Sequence, residues 1–334
     1  MKPVDRRTAR AEQALVAVLP RSADVRVPAE DDGADLTVNG RPLRVNWAGE
    51  GQLGDVRQVL AATARRPDIV VARVLSPGAR AALSEAGVGW VDETGAAEIA
   101  VGTIIVARSG QPPKREAPQN WTTSTVAVAE AALCGIRATA SAMRDAIGLS
   151  MGSCVNALRL LTDLDLLEAT ADRGRSSARR VGDRDALLRA YTSAATALAP
   201  ELRLELGVTW RDLAAGLRTA ADQWRREAVE YAVTGALAAE ALAPYLTTVP
   251  AAEVYVSART VVGLEAVAAS AGLKPVEGGR LILRPFPTVS TSSLASIQGG
   301  LRTAPWPRVY VDLLHAGVRG EDAAEHLKEI VGAR

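Results

Sequence analysis

Residues 122–181 of the chain read TTSTVAVAEAALCGIRATASAMRDAIGLSMGSCVNALRLLTDLDLLEATADRGRSSARRV. Apolar residues recur at helical spacing over residues 124–134, and Gly135 ends this first predicted helix. Thr139 is the predicted N-cap of a short second helix, and Ser150 is the predicted N-cap of a third. This order of helix, turn and capped helix is typical of a helix-turn-helix.

The third helix is predicted to bury one face and to turn the other toward a DNA groove. Four apolar residues at helical spacing form the predicted buried face: Val155, Leu158, Leu161 and Leu164. Asn can bind both edge groups of adenine and Arg both acceptors of guanine, while serine and glycine allow close approach to phosphate. The predicted DNA contacts of the helix and of the two caps are Thr139, Ser150, Met151, Ser153, Asn156 and Arg159.

An arginine-rich hairpin follows the third helix. Strands are predicted over residues 166–170 and 179–181, with a turn at residues 172–174. Only four of the 39 basic residues in the chain are lysines, so a single arginine carries little meaning, and merely solvated arginines are the alternative. The preference for arginine over lysine does not explain five arginines against two acids within residues 172–184. We therefore predict a winged helix-turn-helix that binds duplex DNA, with phosphate or minor-groove contacts from Arg173, Arg175, Arg179 and Arg180.

The composition of the whole chain is that of a globular protein. The 334 residues are 48% hydrophobic and 23% charged, and the length suffices for two or three domains. Because the net charge is only +1, any affinity for nucleic acid must come from local patches. No apolar run approaches the ~20 residues of a membrane span, and residues 1–7 lack an apolar signal core. We therefore expect a cytoplasmic protein without membrane contact.

The sequence predicts neither a metal site nor a cofactor. A structural zinc needs four ligands, and no pair among the two cysteines and two histidines has zinc-ligand spacing. Cys134 and Cys154 are expected in the core, with a redox-sensing pair as the alternative. The chain has no P-loop, no dinucleotide fingerprint and no nucleophile elbow, and Asp312, at the end of a predicted strand, lacks a partner acid at recognisable spacing. We expect no enzymatic activity.

The predicted fold class is a multi-domain α/β protein. An α/β domain over residues 1–108 is followed by a proline-containing linker over 109–120, the winged helix with a connecting helix over 121–199, and a second α/β domain over 200–334. The Asn-Gly pair at 39–40 predicts a hairpin between strands 34–38 and 42–47. In the last domain we predict strands at 229–233, 254–256, 280–283 and 309–313, helices at 210–220, 236–242, 261–271 and 321–331, and a loop over 288–296.

The helix–hairpin–strand–helix–strand order of residues 1–108 resembles the restriction-endonuclease-like fold. In that family an acid on the second strand and a Glu-x-Lys on the third bind the catalytic metal. Asp35 stands where the first acid belongs, but residues 43–47 read LRVNW and contain neither Glu nor Lys. The resemblance therefore implies a degenerate domain without its metal site, in which Asp35 and Glu12 are surface or capping residues.

The order of the pieces also resembles the AbiEi-type antitoxin family of type IV toxin–antitoxin systems and its regulator relatives. Residues 76–95 (SPGARAALSEAGVGWVDETG), the winged helix, and residues 310–325 (YVDLLHAGVRGEDAAE) carry this likeness. Family members begin with the winged helix, whereas here it follows an extra α/β domain. The resemblance implies an autoregulating antitoxin, whose partner would be a separate toxin chain or a second copy of itself.

Two functional hypotheses follow. The first is a sequence-specific transcriptional regulator that binds double-stranded DNA. The alternative is a nucleic-acid repair or processing factor whose nuclease-like domain contacts DNA. Metal-dependent cleavage would favour the alternative, and an operator near its own gene would favour the regulator.

Overall fold

The computed structural model describes residues 6–20, 23–27, 35–62, 66–101, 104–110, 120–169, 179–246 and 248–332. The chain divides into two compact units, Met1–Lys114 with Gly317–Asp322 and Arg115–Ala316 with Ala323–Arg334. Both units combine helices with β-sheets, which confirms the predicted α/β class. The finer domain boundaries stay predictions. Within the described ranges no helix is long and apolar enough to cross a membrane.

The first unit contains a five-stranded and a three-stranded sheet. Its helices are α1 (Arg6–Val18), α2 (Leu53–Ala62) and α3 (Pro77–Glu85). Its strands are β1 (Val25–Arg26), β2 (Leu36–Val38), β3 (Arg41–Leu43), β4 (Val45–Trp47), β5 (Ile69–Ala72), β6 (Gly89–Asp92), β7 (Ala96–Val101) and β8 (Ile104–Ser109). The larger sheet has the order β4-β5-β6-β7-β8, with β4, β5 and β6 parallel and the other pairs antiparallel. The smaller sheet, β1-β2-β3, is antiparallel.

Strand β5 is buried on both faces, which explains its uninterrupted apolar sequence. Ile69 and Val71 belong to one core with residues of α1, while Val70 and Ala72 belong to another with residues of α2 and α3. Alternate residues of a strand point to opposite faces, so helices on both faces require apolar residues throughout. The sheet is therefore the centre of a three-layer unit.

The predicted Asn-Gly hairpin is confirmed, but its second strand is interrupted. Asn39 and Gly40 both have positive φ and connect β2 to β3. Residues 42–47 were expected as one strand, yet β3 ends at Leu43 and β4 starts at Val45 in the other sheet. Carboxylates take the backbone donors at the break: Asp68 accepts from the Arg44 amide and Asp35 from the Val45 amide, both at 2.8 Å. These bonds replace the lost strand pairing.

The second unit surrounds a seven-stranded mixed sheet. Its helices are α4 (Thr123–Leu133), α5 (Ala140–Ile147), α6 (Met151–Asp163), α7 (Arg184–Ala197), α8 (Leu213–Arg226), α9 (Gly235–Leu242), α10 (Val261–Ser270), α11 (Val289–Ser293) and α12 (Trp306–Leu313). Its strands are β9 (Glu168–Ala169), β10 (Arg179–Arg180), β11 (Leu204–Gly207), β12 (Tyr231–Thr234), β13 (Ala252–Val256), β14 (Lys274–Pro275), β15 (Leu281–Pro285), β16 (Ser296–Gln298) and β17 (Leu301–Thr303).

The sheet order is β14-β11-β15-β13-β12-β17-β16. Strand β13 runs parallel to β15 and β12 parallel to β17, whereas the other neighbouring strands are antiparallel. Strands β9 and β10 form a separate antiparallel pair. Helix α13 (Val318–Leu327) starts in the segment assigned to the first unit and ends in the second, where a π-helical turn follows at Lys328–Gly332.

One hydrophobic core extends through the second unit. It includes Leu133 of α4, Leu158 of α6, Trp224 of α8 and Val254 of β13. The connecting helix α7 buries Leu187, Leu188 and Tyr191 on one apolar face. Helices α4 to α7 therefore pack in the same core as the large sheet.

Two predicted elements of this unit are wrong. Residues 309–313 were expected as a strand but belong to helix α12, in which all eight residues are buried and Pro307 lies in the first turn. A helix buried on every side has no polar face, so its pattern cannot be distinguished from that of a buried strand. The predicted loop 288–296 contains α11, whose first turn is capped when Thr288 Oγ1 accepts a hydrogen bond from the Thr291 amide.

Candidate nucleic-acid interface

The central module, defined as residues 121–199, has two tightly joined helices with the predicted caps. Thr139 Oγ1 accepts from the Ala142 amide at 3.3 Å, and Ser150 Oγ accepts from the Ser153 amide at 3.1 Å. Gly148 ends α5 in the left-handed conformation at φ 71°, which glycine adopts without steric cost. The chain therefore turns within Gly148–Ser150 and starts α6 directly, as predicted.

The buried face of α6 contains Leu158 and Leu161, as predicted, but not the two residues predicted at its edges. Val155 and Leu164 were expected inside, but their exposures are 41% and 44%. The residues that pack inside are Cys154, Ala157, Leu158 and Leu161. Both sets fit the 3.6-residue period, and small Cys154 and Ala157 allow the closer approach to α4 and α5.

The exposed face of α6 carries two of the predicted base-reading side chains. Asn156 and Arg159 are exposed and form no hydrogen bond or ion pair with any residue that the structure describes. Met151 is 41% exposed, and a side chain added at Gly152 would meet only Ser150 Oγ, at 4.0 Å. Ser153, also predicted to contact DNA, is half-buried and accepts from the Ser150 hydroxyl at 2.9 Å. The exposed polar side chains of this face are thus Asn156, Arg159 and the acidic Asp163, which lies one helical turn after Arg159.

The arginines of the hairpin have different surroundings. Arg179 is half-buried, its Nε donates to Thr162 Oγ1 at 2.9 Å, and its amide donates to the Ala138 carbonyl at 3.3 Å. Arg180 is 70% exposed and pairs with Glu168 across the two strands at 2.6 Å. Arg179 therefore anchors the hairpin to α6, whereas Arg180 projects to solvent. Arg173 and Arg175 lie outside the described residues.

A buried carboxyl group on α4 was not identified from the sequence. Glu130 Oε2 accepts from the Tyr191 hydroxyl of α7 at 2.5 Å, and Oε1 accepts from the Ser290 hydroxyl at 2.9 Å. Thr291 also donates to it. Burial raises the pKa of Glu130, although these hydroxyl donors and the charge of Arg308 oppose that rise. Its only sequence signal was a single acid inside the apolar run VAVAEAAL.

Both cysteines are free thiols in this module. Cys154 is buried and Cys134 half-buried, in agreement with the expectation of core residues. Burial raises the pKa of each thiol, which disfavours the reactive thiolate.

In the first unit, Asp35 and Asp92 accept hydrogen bonds from backbone amides. Asp35 accepts from the Val45 amide at the start of β4, as described above. Asp92 is fully buried and accepts from the amides of Leu75, Thr94 and Ala96 and from Arg80. Among the described residues no group of three or more His, Cys, Asp or Glu side chains could hold a metal ion.

Two of the stretches that carry the antitoxin resemblance meet at the start of α3. Ser76 caps α3, and its hydroxyl donates to Glu321 Oε2. Glu321 Oε1 accepts from the Gly78 amide at 3.0 Å, which places the carboxyl group at the positive end of the helix dipole. A side chain at Gly78 would lie 2.6 Å from this carboxyl group, which would then have to move.

Comparisons of the chain with models of protein families, with curated proteins and with solved structures find no match.

Proposed function

We propose that the chain is a sequence-specific regulator of transcription that binds double-stranded DNA through its central module, acting as a winged helix-turn-helix. The observation that carries the proposal is the outer face of α6. It begins at a serine cap, has a glycine in its first turn, and presents Asn156 and Arg159 without partners among the described residues. A helix of this length fits the major groove, and these two side chain types have the geometry to read adenine and guanine.

The hairpin supports the proposal because it carries arginines suited to contact the phosphate backbone of DNA. Arg179 fixes it against α6, so that the exposed Arg180 lies in the same module as the reading helix. Its pair with Glu168 is exposed, and such pairs exchange readily for a phosphate. Phosphate contacts of this kind position a protein on the duplex, while base contacts specify the sequence.

We further propose the role of an autoregulating antitoxin, with a second copy of the chain or a separate toxin as its protein partner. This proposal depends on the resemblance of residues 76–95 and 310–325 and is supported by the hydrogen bonds that join them through Glu321.

For the first unit we propose a degenerate restriction-endonuclease-like domain. Its β4–α2–β5 segment with parallel strands fits that proposal.

The test is selection of duplexes from a random pool, followed by affinity measurements on the selected site. Asn156→Ala or Arg159→Ala should each weaken binding by ~1–3 kcal/mol at the selected site and relax preference at one or two base pairs. Arg225→Ala, at an exposed arginine of α8, is the matched control and should leave binding unchanged. Full-strength, sequence-selective binding by the Asn156→Ala/Arg159→Ala double variant would refute the proposal.

A further inference from the structure

A cavity of about 410 Å³ in the second unit is lined by several charged side chains. Its wall is formed by the end of α7, strands β13 and β15, and helix α12. Its volume lies within the ~300–1,000 Å³ that is usual for small-molecule sites. Three guanidinium groups and three carboxyl groups line it: Arg203, Arg284, Arg308, Glu201, Glu253 and Asp312.

The inner wall of the cavity is an ion pair that is almost completely removed from solvent. The side chains of Arg308 and Asp312 are 2% and 1% exposed, and both Nε and Nη2 of Arg308 donate to Asp312 Oδ1. The other oxygen of Asp312 accepts from Tyr255 at 2.7 Å and from Thr234 at 2.5 Å. Burial alone would raise the pKa of Asp312, but the Arg308 charge and hydrogen bonds lower it, so the carboxylate stays ionised.

Stability alone does not explain a buried ion pair of this kind, because the free-energy cost of desolvating two charges can exceed their mutual attraction. Well-packed apolar residues would stabilise the core at least as well. Perturbed ionisable groups that face a cavity are more often found at functional sites than elsewhere.

Arg284 and Glu253 lie nearer the mouth of the cavity, and each has polar atoms that can still bind a ligand. Arg284 Nη1 donates to Glu253 Oε2 at 3.2 Å and lies 3.9 Å from Asp312 Oδ1. Both side chains remain about one quarter exposed, at 25% and 28%. Within the described part of the chain these bonds leave the Nε–Nη2 edge of Arg284 and Oε1 of Glu253 for a ligand. That edge is the one that binds a carboxylate through two parallel hydrogen bonds.

The balance of charge in the lining selects the class of ligand. A polyanion would meet three carboxyl groups, and a simple cation would meet three arginines, so each would place like charges together. A molecule with one carboxylate and one ammonium group would find a partner for each, at Arg284 and at Glu253. Apolar surface from Ala199, Pro200 and Ile282 adjoins these groups and suits an aliphatic side chain.

We propose that this cavity is a binding site for a free α-amino acid, with its carboxylate on Arg284 and its ammonium group on Glu253. The buried Arg308–Asp312 pair holds the two in position, because Asp312 lies next to Arg284 and Arg308 fixes Asp312. The site is independent of the proposed DNA binding, since every residue involved lies outside the exposed face of α6.

The experiment is calorimetric titration of the full-length chain, without DNA, with each proteinogenic L-amino acid in turn. Acetate, methylammonium and inorganic phosphate serve as probes that carry only one of the two charges. We expect at least one amino acid to bind and none of the single-charge probes to bind comparably. Equal binding of acetate or phosphate would mean a plain anion site, and binding of no amino acid would mean a purely structural cluster; either result overturns the proposal.

Variants locate the binding in the cavity. Arg284→Gln and the isosteric Glu253→Gln should each weaken binding of that amino acid by about tenfold or more. Arg225→Gln, at the exposed pair with Asp222, should have no effect. Thermal melts identify any variant that fails to fold, and Glu253→Gln preserves the size of the side chain if Arg284→Gln does not fold. Unchanged affinity in a folded Glu253→Gln protein would contradict the assignment.

Discussion

The hydroxyl group of Tyr191 lies 2.5 Å from Oε2 of Glu130 inside the core of the second unit. This bond joins α7 to α4, and Ser290 of α11 donates to the other oxygen of the same carboxyl group. A single buried acid thus connects two helices of the central module with α11, which lies between β15 and β16 of the large sheet in sequence. Burial raises its pKa, so the charged form is disfavoured at this position.

We predict that Glu130 makes the stability of the folded chain depend on pH. Because its pKa in the folded state is raised, the contribution of the carboxyl group is fully present below the ordinary pKa of glutamate and is lost as pH rises through the raised value. Glu130→Gln keeps the shape and removes this titration. As pH increases from acidic values to neutrality, the urea midpoint of the wild type should therefore fall relative to that of the variant.

The control for this comparison is Glu265→Gln, at an exposed glutamate of α10. Its midpoint should follow the wild-type curve at every pH. Parallel curves for Glu130→Gln and the wild type would show that Glu130 does not titrate in this range.

Substitutions of the two described arginines of the hairpin should have different effects. A change at Arg179 should lower stability, and a change at Arg180 should lower DNA affinity. Arg179→Gln removes the half-buried bond to Thr162 and should destabilise the chain by ~1 kcal/mol. Arg180→Gln removes an exposed pair and should change stability by no more than about 0.5 kcal/mol. If the proposed DNA binding holds, Arg180→Gln should also lower the salt dependence of affinity by about one unit. Denaturant titrations and binding at several salt concentrations measure both; a larger stability loss for Arg180→Gln would contradict the assigned roles.

The ion pair of Arg308 and Asp312 should behave as a coupled unit. Asp312→Ala leaves a buried guanidinium group without its charge partner and should destabilise the chain by ~3–5 kcal/mol. Replacing both residues by apolar ones, as Arg308→Met with Asp312→Leu, should cost less than the two single substitutions together. The measurement is a double-mutant cycle by urea unfolding. Additive effects would mean that the pair contributes no coupling energy.

We predict that the chain does not cut DNA. The Asp35 carboxylate is engaged with the Val45 amide, and the adjoining strand β4 reads Val-Asn-Trp, without an acid for a metal ion. Incubation of plasmid with the wild type and Mg²⁺ or Mn²⁺ should give no more nicking than Asp35→Ala does. Asp35→Ala should instead lower stability by ~1 kcal/mol through the lost backbone bond. Nicking that Asp35→Ala abolishes would favour the repair hypothesis.

Signals that act between neighbouring residues predicted their elements, whereas features that depend on distant residues were missed. Thr139, Gly148 and Ser150 act within a few residues of their own position, and the structure has helix ends where these residues predict them. Asn39-Gly40 predicted its hairpin for the same reason. The burial of Cys154 instead of Val155 was missed because both fit a helical stripe with Leu158, and only the neighbouring helices decide between them.

The candidate sites show the same difference between features set by neighbouring residues and features set by distant ones. The exposed positions of Asn156 and Arg159 follow from helical periodicity, so they were predicted from the sequence. The cluster around Asp312 was not, because Thr234, Tyr255, Arg284 and Arg308 reach it from three strands and one helix. Residues 309–313 were even expected in a strand, since a fully buried helix lacks the polar face that identifies it.

By itself, then, the sequence determined the local elements: the caps, turns and amphipathic faces whose free energy arises between residues close in the chain. The tertiary structure alone decided which residues lie at the edges of the buried face of α6, where Glu130 finds its hydroxyl donors, and how three carboxyl groups and three guanidinium groups come to line one cavity. Those outcomes depend on contacts between residues up to 161 positions apart, and neither spacing nor composition encodes such contacts in a readable pattern.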